Sequence, residues 1–157
     1  MSMSIYAGRT VKDPEFGEVM SPVIDFSKWN EEIVADDADD RIDRGESAFI
    51  PNPDYVADAG MNLSNANAEM LFAQLGFAID SSEPADLPID EVGRAVLRGL
   101  NGPAARHTEE TRTETGSGGA TMVHCGIPEG YMAQRLSSLA ALIAQGRKLG
   151  ATHIVVA

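Results

Sequence analysis

The apolar residues of this chain fall into two regimes. Up to about residue 60 they come in short clusters broken by turn formers; beyond it they recur at three and four residues, the spacing of a helix face. In the first regime Ser4-Ile5-Tyr6-Ala7 and Val19–Phe26 read as strands, with Asp13-Pro14 and Gly17 as turn signals between them. Pro22 lacks a backbone donor and so places the second strand at a sheet edge or a bulge. A short helix is expected over Trp29–Ile33. Ser47–Tyr55 is stiffened by Pro51 and Pro53, which keep it out of helix as it crosses the surface.

Three helices follow. The first spans about Ser64–Leu75, with Leu63, Ala66, Met70, Leu71 and Leu75 on its inner face. The Ser64 hydroxyl is placed to accept from the backbone N–H of Asn67, with Asn62 as a competing cap. Gly76 suits the left-handed position past the helix end, and Phe77 can fold back on the last turn. The second helix, about Pro88–Asn101, takes Pro88 as its first residue. It buries Ile89, Val92, Val96, Leu97 and Leu100 and carries Asp90 and Glu91 at the positive end of its dipole. Gly93 and Gly99 each weaken it by up to about 1 kcal/mol relative to alanine, and such glycines often admit a neighbouring backbone.

The third helix, about Pro128–Leu149, is the longest. Met132, Leu136, Leu139, Leu142, Ile143 and Leu149 repeat along it, Arg135, Gln145, Arg147 and Lys148 cover the other side, and Gly150 ends it. Thr152–Val156 reads as a buried strand. Residues 104–120 hold no Leu, Ile, Val, Met or aromatic residue and are expected to build no core. Their threonine-rich run and Gly116–Gly119 form either a mobile loop or, the preferred reading, an edge strand turning back into Thr121–Cys125 with a mobile tip.

These elements predict an α+β fold: three main helices packed on one face of a small mixed sheet. The order strand, helix, strand over residues 121–157 adds a C-terminal right-handed crossover with its two strands parallel. The 157 residues suit a single domain, with residues 1–60 strand- and loop-rich and 61–157 the helical core. One cysteine, Cys125, excludes an internal disulfide framework. No apolar run reaches the length of a membrane span, and the N-terminus has no signal-peptide pattern. A cytoplasmic protein with no membrane contact is therefore expected.

Charge changes the picture more. The net charge is −12, and residues 1–60 carry 14 acids against 5 bases, whereas residues 106–157 carry 4 against 5. Generic binding to nucleic-acid phosphates needs clustered Lys and Arg and is not expected. The acidic side chains Glu31, Glu32, Asp36, Asp37, Asp39, Asp40, Asp43 and Glu46 instead form either a solvated surface or a face for a basic partner. A calcium loop started at Asp37 would put Arg41 at its fifth position and Ile42 at its sixth, where a glycine belongs, so that pattern fails.

Three stretches carry a resemblance. Asn62, Ser64, Asn65, Asn67 and Ala68 form a box before a helix that ends in Leu75-Gly76-Phe77, and Gly130, Tyr131, Arg135 and Leu136 open the last helix. Over residues 55–157 this order resembles a group of uncharacterised bacterial and phage-associated proteins with an Asn-x-Ser-Asn-x-Asn-Ala box and a Gly-Tyr-x-x-x-Arg-Leu helix. The resemblance implies a fold class and a phage or mobile-element setting. It implies no activity.

The candidate chemistry is sparse. Asparagine amides both donate and accept, so Asn62, Asn65 and Asn67, with Ser64, could line a pocket near Tyr131, Arg135 or His124; the competing reading makes them caps and turn braces. His124 and Cys125 are strand neighbours and point to opposite faces, which makes them a poor nucleophile–base pair. His107, His124, Cys125 and His153 lack the close paired spacing of a zinc site. Gly116–Gly119 lacks the Gly-Lys-Ser/Thr ending of a phosphate loop. No catalytic set, metal or cofactor is expected. The expected function is a small accessory or regulatory protein that binds another protein through its acidic N-terminal part. The alternatives are an enzyme or small-ligand-binding domain at the Asn box and an acidic mimic of nucleic acid.

Overall fold

The computed structural model describes residues 2–80, 82–110, 112–115, 121–124 and 126–157, with the backbone alone for 112–115 and 121–124. In chain order its elements are β1 (Ser2–Asp13), β2 (Gly17–Pro22), β3 (Glu32–Val34), α1 (Ala38–Asp43), β4 (Phe49–Pro51), β5 (Gly60–Ser64) and α2 (Asn65–Gln74). Then come β6 (Ala85–Pro88), α3 (Ile89–Leu100), β7 (Arg112–Thr115), β8 (Thr121–His124), α4 (Tyr131–Lys148) and β9 (His153–Val156). The fold is α+β, with α2, α3 and α4 as its main helices.

β1 organises the main sheet. Met3, Ile5 and Ala7 point to the core, and Ser4 and Tyr6 to the opposite face, the period-two pattern of a strand. One edge of β1 is shared in succession by β5 (Met3↔Leu63, Ile5↔Met61) and β2 (Gly8↔Pro22 to Asp13↔Gly17). Its other edge pairs with β9 over Ile5–Gly8, and β6 lies beyond β9. β1 runs well past Ala7 because Asp13 closes a tight turn into β2, its Oδ1 accepting from the N–H groups of Glu15 (2.8 Å) and Phe16 (2.9 Å). Among the described residues β2 pairs with β1 alone, so Pro22 does sit on an edge strand.

Every pairing in this sheet is antiparallel, which corrects the expected mixed sheet. The crossover is absent as well. β8 pairs with β7 in a separate ribbon (Arg112↔His124 to Thr115↔Thr121), while β9 inserts between β1 and β6. A crossover requires the strands on either side of the helix to share a sheet. Periodicity shows that β9 is a buried strand, but its partners come from the far end of the chain and from β6. The expected hairpin into Thr121 is formed; its glycine tip lies outside the described residues.

The three long helices bury one face each into a common core. Leu71 and Phe72 of α2, Val92 and Val96 of α3, and Met132, Leu136, Leu139 and Leu142 of α4 are sealed from water together with Ile5, Ile154 and Val156. α4 approaches the sheet through small residues: a Cβ built at Gly146 would collide with the Ala7 Cβ. α2 ends as its sequence requires. Gly76 is left-handed (φ 87°), the Phe77 N–H donates to the Phe72 carbonyl (2.9 Å), and the two rings meet edge to face. α4 repeats the motif with Gly150 (φ 78°) and an Ala151 N–H bond to the Gly146 carbonyl (2.9 Å).

Several positions differ from expectation. Pro88 ends β6 and flanks α3 as its N-cap, because the Ile89 N–H is already bonded to the Thr152 carbonyl (3.0 Å). Leu97 is 60% exposed and Leu149 42%, whereas Ala95 and Gly99 turn inward. On α2, Ala68 and Phe72 are buried, Ala66 is exposed, and Met70 packs against the core only partly buried. Gly93 faces the Arg147 guanidinium and Gly99 the side chains of Leu75 and Leu136, not a neighbouring backbone. Ala104, in a 3-10 turn over Ala104–Arg106, is part of the core: a methyl is enough where the space is small.

The segment between β2 and β5 lies against the other face of the sheet. Phe26–Lys28 is a 3-10 turn capped by Asp25, and Glu32–Val34 is a strand where a helix was expected. The Trp29 ring decides this. It packs on Gly60, where an added Cβ would lie 2.5 Å from the ring, and meets Phe26 (4.5 Å) and Tyr6 (5.7 Å). Asn52 then ties the return strand down, its amide donating to the carbonyls of Ser27 (2.8 Å) and Asn30 (2.9 Å).

Gly146→Ala is expected to destabilise the protein by about 1–3 kcal/mol through overpacking. In an Ala7→Gly background the cost of the same substitution should shrink. A double-mutant cycle by urea unfolding reads this, and additive effects would show that the helix does not rest on Ala7.

Candidate functional site

The outer edge of β5, unpaired among the described residues, borders a recess. The Ser4 N–H donates to the Ala157 carbonyl (2.6 Å) and the Ala157 N–H returns to Ser4 (3.0 Å), so the backbone groups of Ser4 face the β9 side. Backbone groups alternate along a strand, so Met3 and Ile5 face β5 and bond Leu63 and Met61. The same alternation turns the N–H and C=O of Gly60 and Asn62 outward, away from β1.

They line a cleft of about 280 Å³. Gly60, Met61 and Asn62 form one wall, Arg135 and Ser138 of α4 a second, and Tyr55 with Asp58 a third. Asp58 occupies the left-handed region (φ 57°), which Asp tolerates better than most residues, and so turns the chain into β5. The Arg135 guanidinium carbon lies 4.9 Å from the Tyr131 ring centroid. Its Nε is buried without a hydrogen-bond partner, and among the described residues no carboxylate reaches it within ion-pair distance. Partial desolvation raises the Tyr55 phenol above its ordinary pKa, and the Glu31 carboxylate, by charge and hydrogen bond, and Asp58 add to it.

The Asn box is divided between roles. Asn62 lies on β5, caps nothing, accepts a hydrogen bond from the Ser4 hydroxyl (3.0 Å) and lines the cleft. Ser64 is the N-cap of α2, its hydroxyl accepting from the Asn67 N–H at 3.4 Å. Asn65 and Asn67 belong to the first turn of that helix and do not line the cleft. The Asn65 Oδ1 is buried with no partner. Tyr131 reaches the cleft only through Arg135, and the side chain of His124 lies outside the described residues.

The sequence did not point to Tyr55, Asp58, Gly60, Met61 or Ser138. Ser138 follows Arg135 by three residues, so helical spacing could have placed it on the same face. Nothing local marks Tyr55 or Asp58.

The other candidates stay apart. Nε2 of His107 lies 3.3 Å from Glu109, and Nδ1 of His153 lies 2.8 Å from the Thr152 hydroxyl. Cys125 and the glycine run are outside the described residues. No three His, Cys, Asp or Glu side chains converge on a metal position among the described residues. In the acidic run, Arg44 pairs with Asp37 (3.4 Å) and Glu46 (3.1 Å), and Arg41 with Glu46 (3.4 Å). Asp36, Asp37, Asp39 and Asp40 rim a shallow surface recess beside α1. No described helix is long and apolar enough to cross a membrane. Compared with family models, curated proteins and solved structures, the chain matches none.

Ser64→Ala should cost about 0.5–1 kcal/mol, the lower range for a lost N-cap because the bond is long. Asn65→Ala should be nearly neutral, since its buried carbonyl oxygen already lacks a partner. Equal losses in thermal unfolding would contradict that division. The raised Tyr55 pKa gives a second expectation. Its contribution is complete below the unfolded phenol pKa, near 10, and is lost as pH rises through the higher folded value. Glu31→Gln should lower the phenolate transition seen at 295 nm, with Tyr55→Phe identifying it; an unmoved transition would exclude Glu31 as a cause.

Proposed function

We propose that this protein is a small accessory or regulatory protein that acts by binding another protein, and that the β3–β4 unit with α1 forms the docking face. One observation carries the reading. The two-stranded β3–β4 sheet turns Ile33 and Ile50 inward and the cross-strand pair Val34 and Phe49 outward, 60% and 54% exposed. A two-stranded sheet of this size is marginal alone, and exposed large apolar side chains on it are costly unless a partner covers them.

Charge gives the partner its chemistry. Residues 26–58 hold ten acids against three bases, so that apolar pair belongs to a strongly negative segment that carries Glu31, Glu32, Asp36, Asp37, Asp39, Asp40, Asp43 and Glu46. The fitting partner is a basic segment with apolar anchors, steered by the field and held by burial of Val34 and Phe49. Ile42 of α1 is a further exposed apolar side chain in this segment. A mimic of nucleic acid is less well supported, because Asp37 and Glu46 are engaged by arginines and a phosphate ladder has no apolar centre. Small-ligand binding has one favouring observation, the cleft beside Arg135. A phage or mobile-element setting rests on the sequence resemblance alone.

Capture from native-host lysate with immobilised protein tests the reading. The wild type should retain a basic partner at low salt, and Phe49→Ser and the triple Asp37→Asn, Asp39→Asn, Asp40→Asn variant should each weaken capture at least tenfold. Recovery of no partner, or equal recovery by all three proteins, would sink it.

A further inference from the structure

We infer that the β5 edge cleft is a receptor site for the carboxylate-bearing end of an extended peptide, which adds as a strand beside β5 with its C-terminal carboxylate on Arg135. The inference is independent of the acidic face. Three observations meet in one place. Among the described residues the outward N–H and C=O of Gly60 and Asn62 have no strand partner beyond them, β5 pairing there with β1 alone, and an exposed edge of this kind templates another strand. The Arg135 guanidinium stands at that edge without a carboxylate among the described residues, and its Nε is buried and unbonded. The cleft, about 280 Å³, has room for the last residues of a chain but not for a folded element.

The charge of the walls narrows the ligand. A guanidinium offers a fork of parallel donors that matches a carboxylate. Stacking on Tyr131 holds the fork in one orientation. Asp58, which also lines the cleft, repels a doubly charged phosphate more than a singly charged carboxylate placed on Arg135. The edge groups of Gly60 and Asn62 call for amide partners, which a free inorganic anion does not have. A peptide terminus supplies both, one carboxylate followed by regularly spaced N–H and C=O groups. Ser138 offers a hydroxyl on the same helix face as Arg135. Side-chain preference along the peptide is set by the alternation of strand neighbours, so positions alternate between the cleft wall and solvent.

Selection from a random heptapeptide library displayed with free C-termini tests this on the full chain, run in parallel against Arg135→Gln. The expected result is a set of peptides enriched only by the wild type, whose synthetic forms lose at least tenfold in affinity when the terminus is amidated. Two variants then separate backbone pairing from side-chain contact. Asn62→Pro removes an outward N–H that β1 does not use and should abolish binding, while Asn62→Ala keeps that N–H, loses only the side-chain contribution and should weaken binding less than Asn62→Pro does. Circular dichroism and the amide spectrum of β1 and β9 establish that each variant is folded. Failure to enrich any peptide over Arg135→Gln, equal binding of amidated peptides, or full binding by folded Asn62→Pro would each overturn the inference.

Discussion

The double-sided pairing of β1 over Ile5–Gly8 is the constraint on which the rest of the protein depends. Along this stretch one strand is bonded to β5 and β2 on one edge and to β9 on the other. The first and last strands are thereby neighbours, and β6 with its helix is reached only through β9. α4 completes the arrangement by resting Gly146 on Ala7, close enough that no side chain fits between. Such pairing closes a loop of nearly the whole chain, so its entropy must be lost before the contacts return anything, and folding should be slower than the helix content suggests.

The two faces of this sheet divide the work. One is covered by three helices whose buried leucines, valines and Phe72 supply the hydrophobic stabilisation. The other is covered by a Tyr6–Phe26–Trp29 cluster and by the acidic excursion that Asn52 ties back to Ser27 and Asn30. The cleft lies where the two parts meet. Arg135 and Ser138 come from the helical side, Tyr55 and Asp58 from the excursion, and Gly60 and Asn62 from the strand between them. An occupant there would touch the segment whose outer side carries Val34 and Phe49.

What was legible in the sequence was local. Ser64 caps α2 because its hydroxyl needs only a backbone N–H three residues on. Gly76-Phe77 and Gly150 end their helices because a left-handed residue is cheap only for glycine. The α4 stripe from Met132 to Ile143 held for the same reason: its period survives whatever packs against it. Three misreadings involve a distant partner. Trp29–Ile33 is not a helix because Trp29 is held on Gly60; Ala104 is core because a gap of its size exists there; β9 is antiparallel because β1 and β6 flank it. Of the site, Asn62 and Arg135 were visible as residue types near one another in expectation, but Tyr55, Asp58 and the outward backbone of β5 have no local signature.

The sequence by itself determined the α+β class, the three long helices and their ends, and the concentration of negative charge in the first sixty residues. Those properties follow from spacing, capping and composition, which act within a few residues or not through geometry at all. Only the tertiary structure decided which strands are neighbours, which edge of β5 stays open, and that an arginine without a carboxylate partner among the described residues stands beside it. These are contacts between residues 58 to more than 150 positions apart, and short-range propensity carries no information about such distances.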